Sequence, residues 1–360
     1  MMLKTARHRL FGCNCCAEPF AATGVNRREL LAGGAALTLA GVGLGPRAFA
    51  QAKPHRIDVH HHVAPPVWLS AMDVIGRTNP PLANWSIQKS LEDMDKGGIA
   101  TSLLSPTAPQ VVPIGKPVAI KIARDSNEYS KKMMADHPGR FGIFATLPLP
   151  HVDESLKEIS YAFDTLNVDG IGMLTNYGDK WLGHPFLDPV WQELNRRNAT
   201  VYTHPTDANC CVNLMQTVPP SAIEWGTDST RSIADLIFSG TAQKYPNINW
   251  IFSHGGGALT SFAERFLVQM VNTPPYKGKF TREDVQGQLN RFYYDTAQVS
   301  MVGTLAALAK LVPVSQIVYG TDFPYRTGAE HTKGVATVFS GEDLNKVERG
   351  NALRLVPRLV

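Results

Sequence analysis

The chain has 360 residues, 44% of them hydrophobic, which is enough to bury the core of one large α/β barrel or two ordinary domains and excludes disorder as the default. Its formal charge of +4 sits entirely in the first 50 residues, where Lys4, Arg7, Arg9, Arg27, Arg28 and Arg47 face only Glu18 and Glu29. The remaining residues carry equal numbers of acidic and basic side chains, so they generate no net field for nucleic acid or an anionic membrane.

The basic head reads as a targeting segment. Paired arginines in "NRREL" precede the apolar run "LLAGGAALTLAGVGLG", and "AFA" before Gln51 is an A-x-A cleavage site. The run is too short and too rich in glycine for a membrane span. The arginine pair resembles a twin-arginine signal, although Asn26 and Glu29 depart from its commonest form. Residues 1–50 are therefore expected to be an export signal, and residues 51–360 a domain that works in the periplasm, free of the membrane after cleavage. Three cysteines, Cys13, Cys15 and Cys16, fall in that leader and receive no function. Cys210 and Cys211 are expected to be two thiols, because no spaced disulfide framework accompanies them.

From residue 56 onward, β-branched runs alternate with helical patterns. The candidate strands are "RIDVHH", "IATSLLS" at 99, "FGIFATL" at 141, "VDGIGML" at 168, "TVYTH" at 200, "INWIFSH" at 248, "RFYYDTA" at 291 and "QIVYGTD" at 316. Amphipathic stretches such as "SLEDMDKGG", "DPVWQELNRRN" and "STRSIADLIFSGTAQKY" lie between them. Eight strands alternating with helices predict a single-domain (β/α)8 TIM-like barrel. A dinucleotide-binding sheet is disfavoured, since no glycine-rich phosphate loop follows the first strand.

Barrels of this kind work at the C-terminal ends of their strands. Four of the predicted strands end in metal-ligand types: "DVHHH", "TVYTHPTD", "WIFSHGGG" and "VYGTDFP". His60, His62, His204, His254 and Asp322 form a convergent set of imidazoles and one carboxylate, ligands suited to Zn²⁺ and neighbouring divalent metals. Strand alternation lets His60 and His62 point into the barrel mouth while His61 faces the helical layer. Asp58 shares the inward parity of His60 and His62. It is either an acceptor that orients one of their imidazoles or a plain buried, hydrogen-bonded carboxylate.

These residues resemble the metal-dependent amidohydrolase superfamily, in the branch of aminocarboxymuconate semialdehyde decarboxylase and related aromatic-acid decarboxylases. The resemblance covers roughly residues 56 to 355 and rests on "IDVHHHVAP", "EDMDKGGIATSLLS", "HPGRFGIFATLPL", "VDGIGMLTNYG", "FSHGGGA", "YGTDFP" and "GNALRL". It implies one divalent metal, zinc foremost and manganese as the alternative, held by His60, His62, His204 and Asp322, with His254 beside it as acid/base. Strand four ends without the lysine that two-metal relatives carboxylate, and Lys180 lies well out in the loop.

Ser90 stands where the aminocarboxymuconate enzyme carries an arginine, and Thr206 where it carries a tryptophan. The segments "NYGDKWLGHPFLDPVWQELNRR" and "HPTDANCC" look closer to 6-methylsalicylate decarboxylase-like members, whose substrates are ortho-hydroxybenzoates. The expected activity is metal-dependent, non-oxidative decarboxylation of a small aromatic or muconate-type carboxylic acid, catalysed by His254 and Asp322. Thr206, Asn209, Arg265 and Arg326 are the candidate substrate contacts. Arg265 matches an arginine that in the family reaches the substrate across a dimer interface, which implies a homodimer. Two alternatives stay open. One is a mononuclear metal hydrolase of lactones, amides or esters, in which the metal lowers the pKa of water from about 15.7 to about 7. The other is an exported metal- or ligand-binding barrel without catalysis.

Overall fold

The computed structural model describes residues 54–77, 80–212 and 214–359. The predicted leader, with Cys13, Cys15 and Cys16, lies outside the described residues. One eight-stranded parallel sheet runs in sequential order: β1 (Arg56–His62), β2 (Ile99–Ser105), β3 (Phe141–Thr146), β4 (Gly170–Leu174), β5 (Thr200–His204), β6 (Asn249–Phe252), β7 (Tyr293–Asp295) and β8 (Ile317–Val318). The first strand closes on the last. Val59 donates its N–H to the Tyr319 carbonyl at 3.0 Å, Asp322 to His60 at 2.9 Å and His62 to Phe323 at 2.8 Å. The predicted barrel is thus present. Its seventh and eighth strands are shorter than their apolar runs because both chains bend into loops that carry site residues.

Side-chain alternation builds two layers. Ile57, Val59, Leu103, Phe144, Tyr202, Ile251 and Val318 pack together inside the barrel, with Phe144 and Tyr202 stacked 5.4 Å apart, and Ala352, Leu355 and Val356 join them from the C-terminal helix. The opposite strand faces meet the helices in a larger core, where Trp191 of the helix Asp188–Arg196 packs edge-on against Trp250 of β6 at 4.8 Å. Burying such side chains is worth about 1.5–3 kcal/mol each.

The strand alternation predicted for β1 holds only in part. The β1–β2 register shifts between Asp58 and His61, a bulge that places an extra residue in the strand. His60 and His62 point into the mouth as expected, and His61 faces outward, bonded to Ser90 Oγ at 3.0 Å and stacked on Phe323. Across the bulge Asp58 changes sides. It meets His61 Nδ1 at 3.2 Å and accepts from Thr321 and the His60 backbone, so it orients no imidazole of the convergent set.

A second expectation is corrected in the loop after β5. Cys210 and Cys211, in the exposed turn Asn209–Cys211, are joined as a vicinal disulfide rather than left as thiols. The tight turn brings the two adjacent side chains together.

Candidate metal centre and active site

Five strand-end residues converge at the barrel mouth. His60 Nε2 lies 3.2 Å from His62 Nε2, and each lies 3.1 Å from Asp322 Oδ1. His204 joins them, its ring 5.3 Å from His60 and 4.8 Å from His62. His254 Nε2 stands farther out, 3.5 Å from Asp322 Oδ2. One atom from each of His60, His204, His254 and Asp322 falls within 4.8 Å of the others, the one such group among the described residues.

The outer nitrogens fix the tautomers. His60 Nδ1 bonds Asp295 Oδ2 at 2.8 Å, His62 Nδ1 the Ser105 carbonyl at 3.2 Å, and His204 Nδ1 the Pro205 carbonyl at 2.8 Å. Those partners accept only, so each Nδ1 carries a hydrogen and each ring turns its Nε2 to the centre. Two bare lone pairs at that 3.2 Å separation would repel, so either a proton or a metal ion must lie between the rings. Tetrahedral bonds of about 2.0–2.1 Å set neighbouring donors about 3.3 Å apart, so the triangle of His60, His62 and Asp322 has the size a divalent metal needs.

The electrostatics agree. Burial pushes the His60 imidazole down, but the Asp295 and Asp322 carboxylates outweigh it and hold it up at about 10. Burial lowers His62, which Asp322 only partly offsets and the neighbouring His60 charge reinforces; His204 is driven well down by burial and then by His62, His60 and His254. Burial favours neutral Asp322, yet His60, His254 and His62 hold its carboxyl well below the usual range. The cluster keeps one positive charge against Asp322 and two neutral imidazoles, a role that a bound cation fills with all three rings as donors.

The backbone is bent to present these groups. His254 at φ 54°, Gln298 at 59° and Asp322 at 65° all adopt the left-handed conformation, sparsely populated outside glycine. Asp295, at the end of β7, holds two of them in register. Its Oδ2 orients His60, while Oδ1 accepts from the backbone of His254 at 2.8 Å and of Ala297 at 3.0 Å. In "HGGG" a Cβ on Gly257 would come 2.0 Å from the Gly226 carbonyl oxygen. Glycine there lets the β6 loop lie against the helix Pro220–Phe238.

A cavity of about 620 Å³ opens over the cluster, lined by His254, Asp322 and Gln298 on one side and by Asp207, Trp225 and Tyr325 among others. Its size suits a small ring acid. Of the expected substrate contacts, none lines this cavity in its own chain. Thr206 offers its carbonyl to Asn176, Asn209 is exposed in the disulfide turn, and Arg265 lies in an exposed helical turn beside Gln269. Arg326, expected as a substrate contact, bonds to Glu330 and Gln298. The loop after β5 instead turns Asp207 to the cavity. Asp207, Trp225, Gln298 and Asp295 were missed in the sequence. Only Asp295, an acidic residue near the end of a predicted strand, carried a usable signal.

Fold and cluster together define a metal-binding (β/α)8 barrel. The amidohydrolase family profile matches residues 57–358, and the chain belongs to that family. It is 34% identical to the decarboxylase yanB of Aspergillus niger, covering 84% of this chain and 88% of that protein. It is 33% identical to the 6-methylsalicylic acid decarboxylase of Penicillium expansum, over 84% of this chain and 97% of that one. In fold it matches a dihydroxybenzoic acid decarboxylase of Polaromonas sp. JS666, crystallised with manganese and 2-nitroresorcinol, with TM-score 0.72, 21% identity and coverage of 84% and 97%.

Proposed function

We propose that the protein is a metal-dependent carboxy-lyase that removes CO2, without oxidation, from a small aromatic acid carrying an ortho hydroxyl, with 6-methylsalicylate as the favoured type. The carrying observation is the Nε2–Nε2–Oδ1 triangle of His60, His62 and Asp322 beneath a ring-sized cavity, in a chain one-third identical to a 6-methylsalicylic acid decarboxylase.

His60, His62, His204 and Asp322 would hold one divalent metal, zinc or manganese. A bound metal would supply Lewis acidity, stabilising negative charge that develops on the substrate. The residues do the rest. Trp225, Val299 and Tyr325 flank the ring and displace water from it. His254 Nε2, buried and facing Asp322 Oδ2 at 3.5 Å, delivers a proton to the ring carbon that bears the carboxylate. The carbon–carbon bond then breaks, its electron pair restoring the aromatic ring, and CO2 leaves. Asp322 Oδ2, 3.5 Å from His254 Nε2, is placed to share that proton.

Export to the periplasm is inferred from Arg27, Arg28 and the apolar run before Gln51. A homodimer is inferred in which Arg265, exposed on its own subunit, serves the neighbouring site. Cell fractionation and sedimentation test these two inferences. Activity is tested by CO2 release from 6-methylsalicylate and other hydroxybenzoates by zinc- and manganese-loaded protein. Metal-dependent release is expected; cleavage of lactones or esters without CO2 would assign a hydrolase, and bound metal without turnover a binding protein.

A further inference from the structure

The far wall of the cavity carries a charge that the reaction does not use. Asp207 lies three residues beyond the ligand His204, on a loop that folds its carboxylate into the cavity lining. Trp225, from the helix Pro220–Phe238, spans the gap between the two. Its ring stands edge-on to His204 at 5.8 Å, and its Nε1–H donates to Asp207 Oδ1 at 2.8 Å. An indole therefore measures the distance from the metal ligands to Asp207. A benzoate laid along it, with its carboxylate at the cluster, puts its distal ring edge before the aspartate.

Within its own chain, the charge there is not neutralised inside the cavity. Among the described residues of its own chain two carboxylates line it, Asp207 and Asp322, and no lysine or arginine does. Asp322 is matched by His60 and its neighbours. Among the described residues the cation paired with Asp207 is Arg77, 4.0 Å from Oδ2, on a side chain 57% exposed and outside the lining. We propose that Asp207 is a specificity-determining residue that makes this a site for aromatic monocarboxylic acids and turns away rings bearing a second, distal carboxylate. A distal hydroxyl donates to Asp207, a methyl group meets the neighbouring indole, and a carboxylate meets a like charge in a partly desolvated cleft, where repulsion is felt more strongly than in water. This rests on the reading of the cavity as the seat of a ring acid, but not on turnover.

The test is binding of two unreactive acids, benzoate and isophthalate, to manganese-loaded protein by titration calorimetry. Wild type is expected to bind benzoate at least tenfold more tightly. Asp207→Asn, which still accepts from Trp225 Nε1, is expected to reduce that preference at least fivefold, and Asp207→Lys to reverse it. Thermal unfolding reports whether each variant is folded, and Asp207→Ser substitutes for one that is not. Equal affinity of wild type for the two acids, or a preference unchanged in folded charge-neutral variants, overturns the proposal. If benzoate binds with the expected preference while no hydroxybenzoate releases CO2, the decarboxylase reading fails and this one stands.

Discussion

The side-chain amide of Gln298 stands between Asp322 and Arg326, donating through Nε2 to Asp322 Oδ2 at 2.7 Å and accepting through Oε1 from Arg326 Nη1 at 3.0 Å. A guanidinium only donates, so Arg326 forces the amide's orientation and the amide forces the carboxylate's. Oδ1 is left facing His60 and His62. The backbone of Gln298 is tied down as well, its N–H donating to His331 Nε2 at 3.1 Å. Gln298→Ala should therefore weaken metal binding by about 10- to 100-fold, the usual cost of losing a partner that orients a ligand. Arg326→Ala should cost less, because it removes only the constraint on the amide. Chelator competition measures both, and unfolding of the metal-free protein should change little.

Asp295 does for His60 what Gln298 does for Asp322, and it is buried with its ligand partner. Asp295→Asn keeps the shape but can present its N–H₂ where His60 Nδ1–H needs an acceptor. The ring then turns, or its tautomer changes and Nε2 ceases to be a donor to metal. Metal content after dialysis should fall to a small fraction of the wild-type value, and Nε2-bound histidine signals should be lost from the spectrum of a cobalt-substituted protein.

The barrel and the convergent residues at its mouth were legible because they follow from two rules, apolar alternation along strands and function at their C-terminal ends. His60, His62, His204, His254 and Asp322 needed nothing more. Asp58 was misplaced because the bulge between Asp58 and His61 breaks that alternation, and a bulge leaves no mark in "RIDVHHH". The place of Asp207 was illegible for a similar reason. Which side chain of "HPTDANCC" faces the cavity depends on how the loop folds against Trp225, which lies 18 residues farther on. Gln298 owes its place to a left-handed backbone and to Arg326, both tertiary facts.

The three histidines of β1 separate by experiment. His60→Ala and His62→Ala each remove a donor from the triangle, and each should abolish stoichiometric metal binding, read by elemental analysis. His61→Ala should retain the ion. It removes a buried ring from Phe323 and leaves Ser90 and Asp58 each one partner short, so its cost appears in stability, about 2–4 kcal/mol by denaturant titration.

Metal removal should expose a pH dependence with a definite sign. In the metal-free fold His60 is raised from its ordinary 6.5 to about 10, so its charge stabilises the fold fully below pH 6.5, and that contribution is lost as pH rises toward 10. His62 and His204 are lowered, so the unfolded chain takes up protons first and stability falls as pH drops below 6.5. The melting temperature of chelator-treated protein should peak near about pH 6.5 and decline between there and 10. Metal-loaded protein, whose His60 has given up its proton, should lack the alkaline decline. Metal affinity should correspondingly rise by about tenfold per pH unit between about pH 7 and 9, one proton being released per ion bound.

His254 is separated from the ligands by what its substitution should leave intact. Its backbone is held by Asp295 Oδ1 in the left-handed region, which asparagine tolerates better than most residues. His254→Asn thus preserves the turn and the three strand-end histidines, but its amide cannot carry a proton to the ring carbon. Turnover should fall by about 10²- to 10⁴-fold, the range for loss of a general acid, while metal content stays stoichiometric. CO2 release and elemental analysis on one preparation decide the matter. Loss of the ion together with activity would make His254 a ligand, and full activity with the ion bound would move the proton to Asp322.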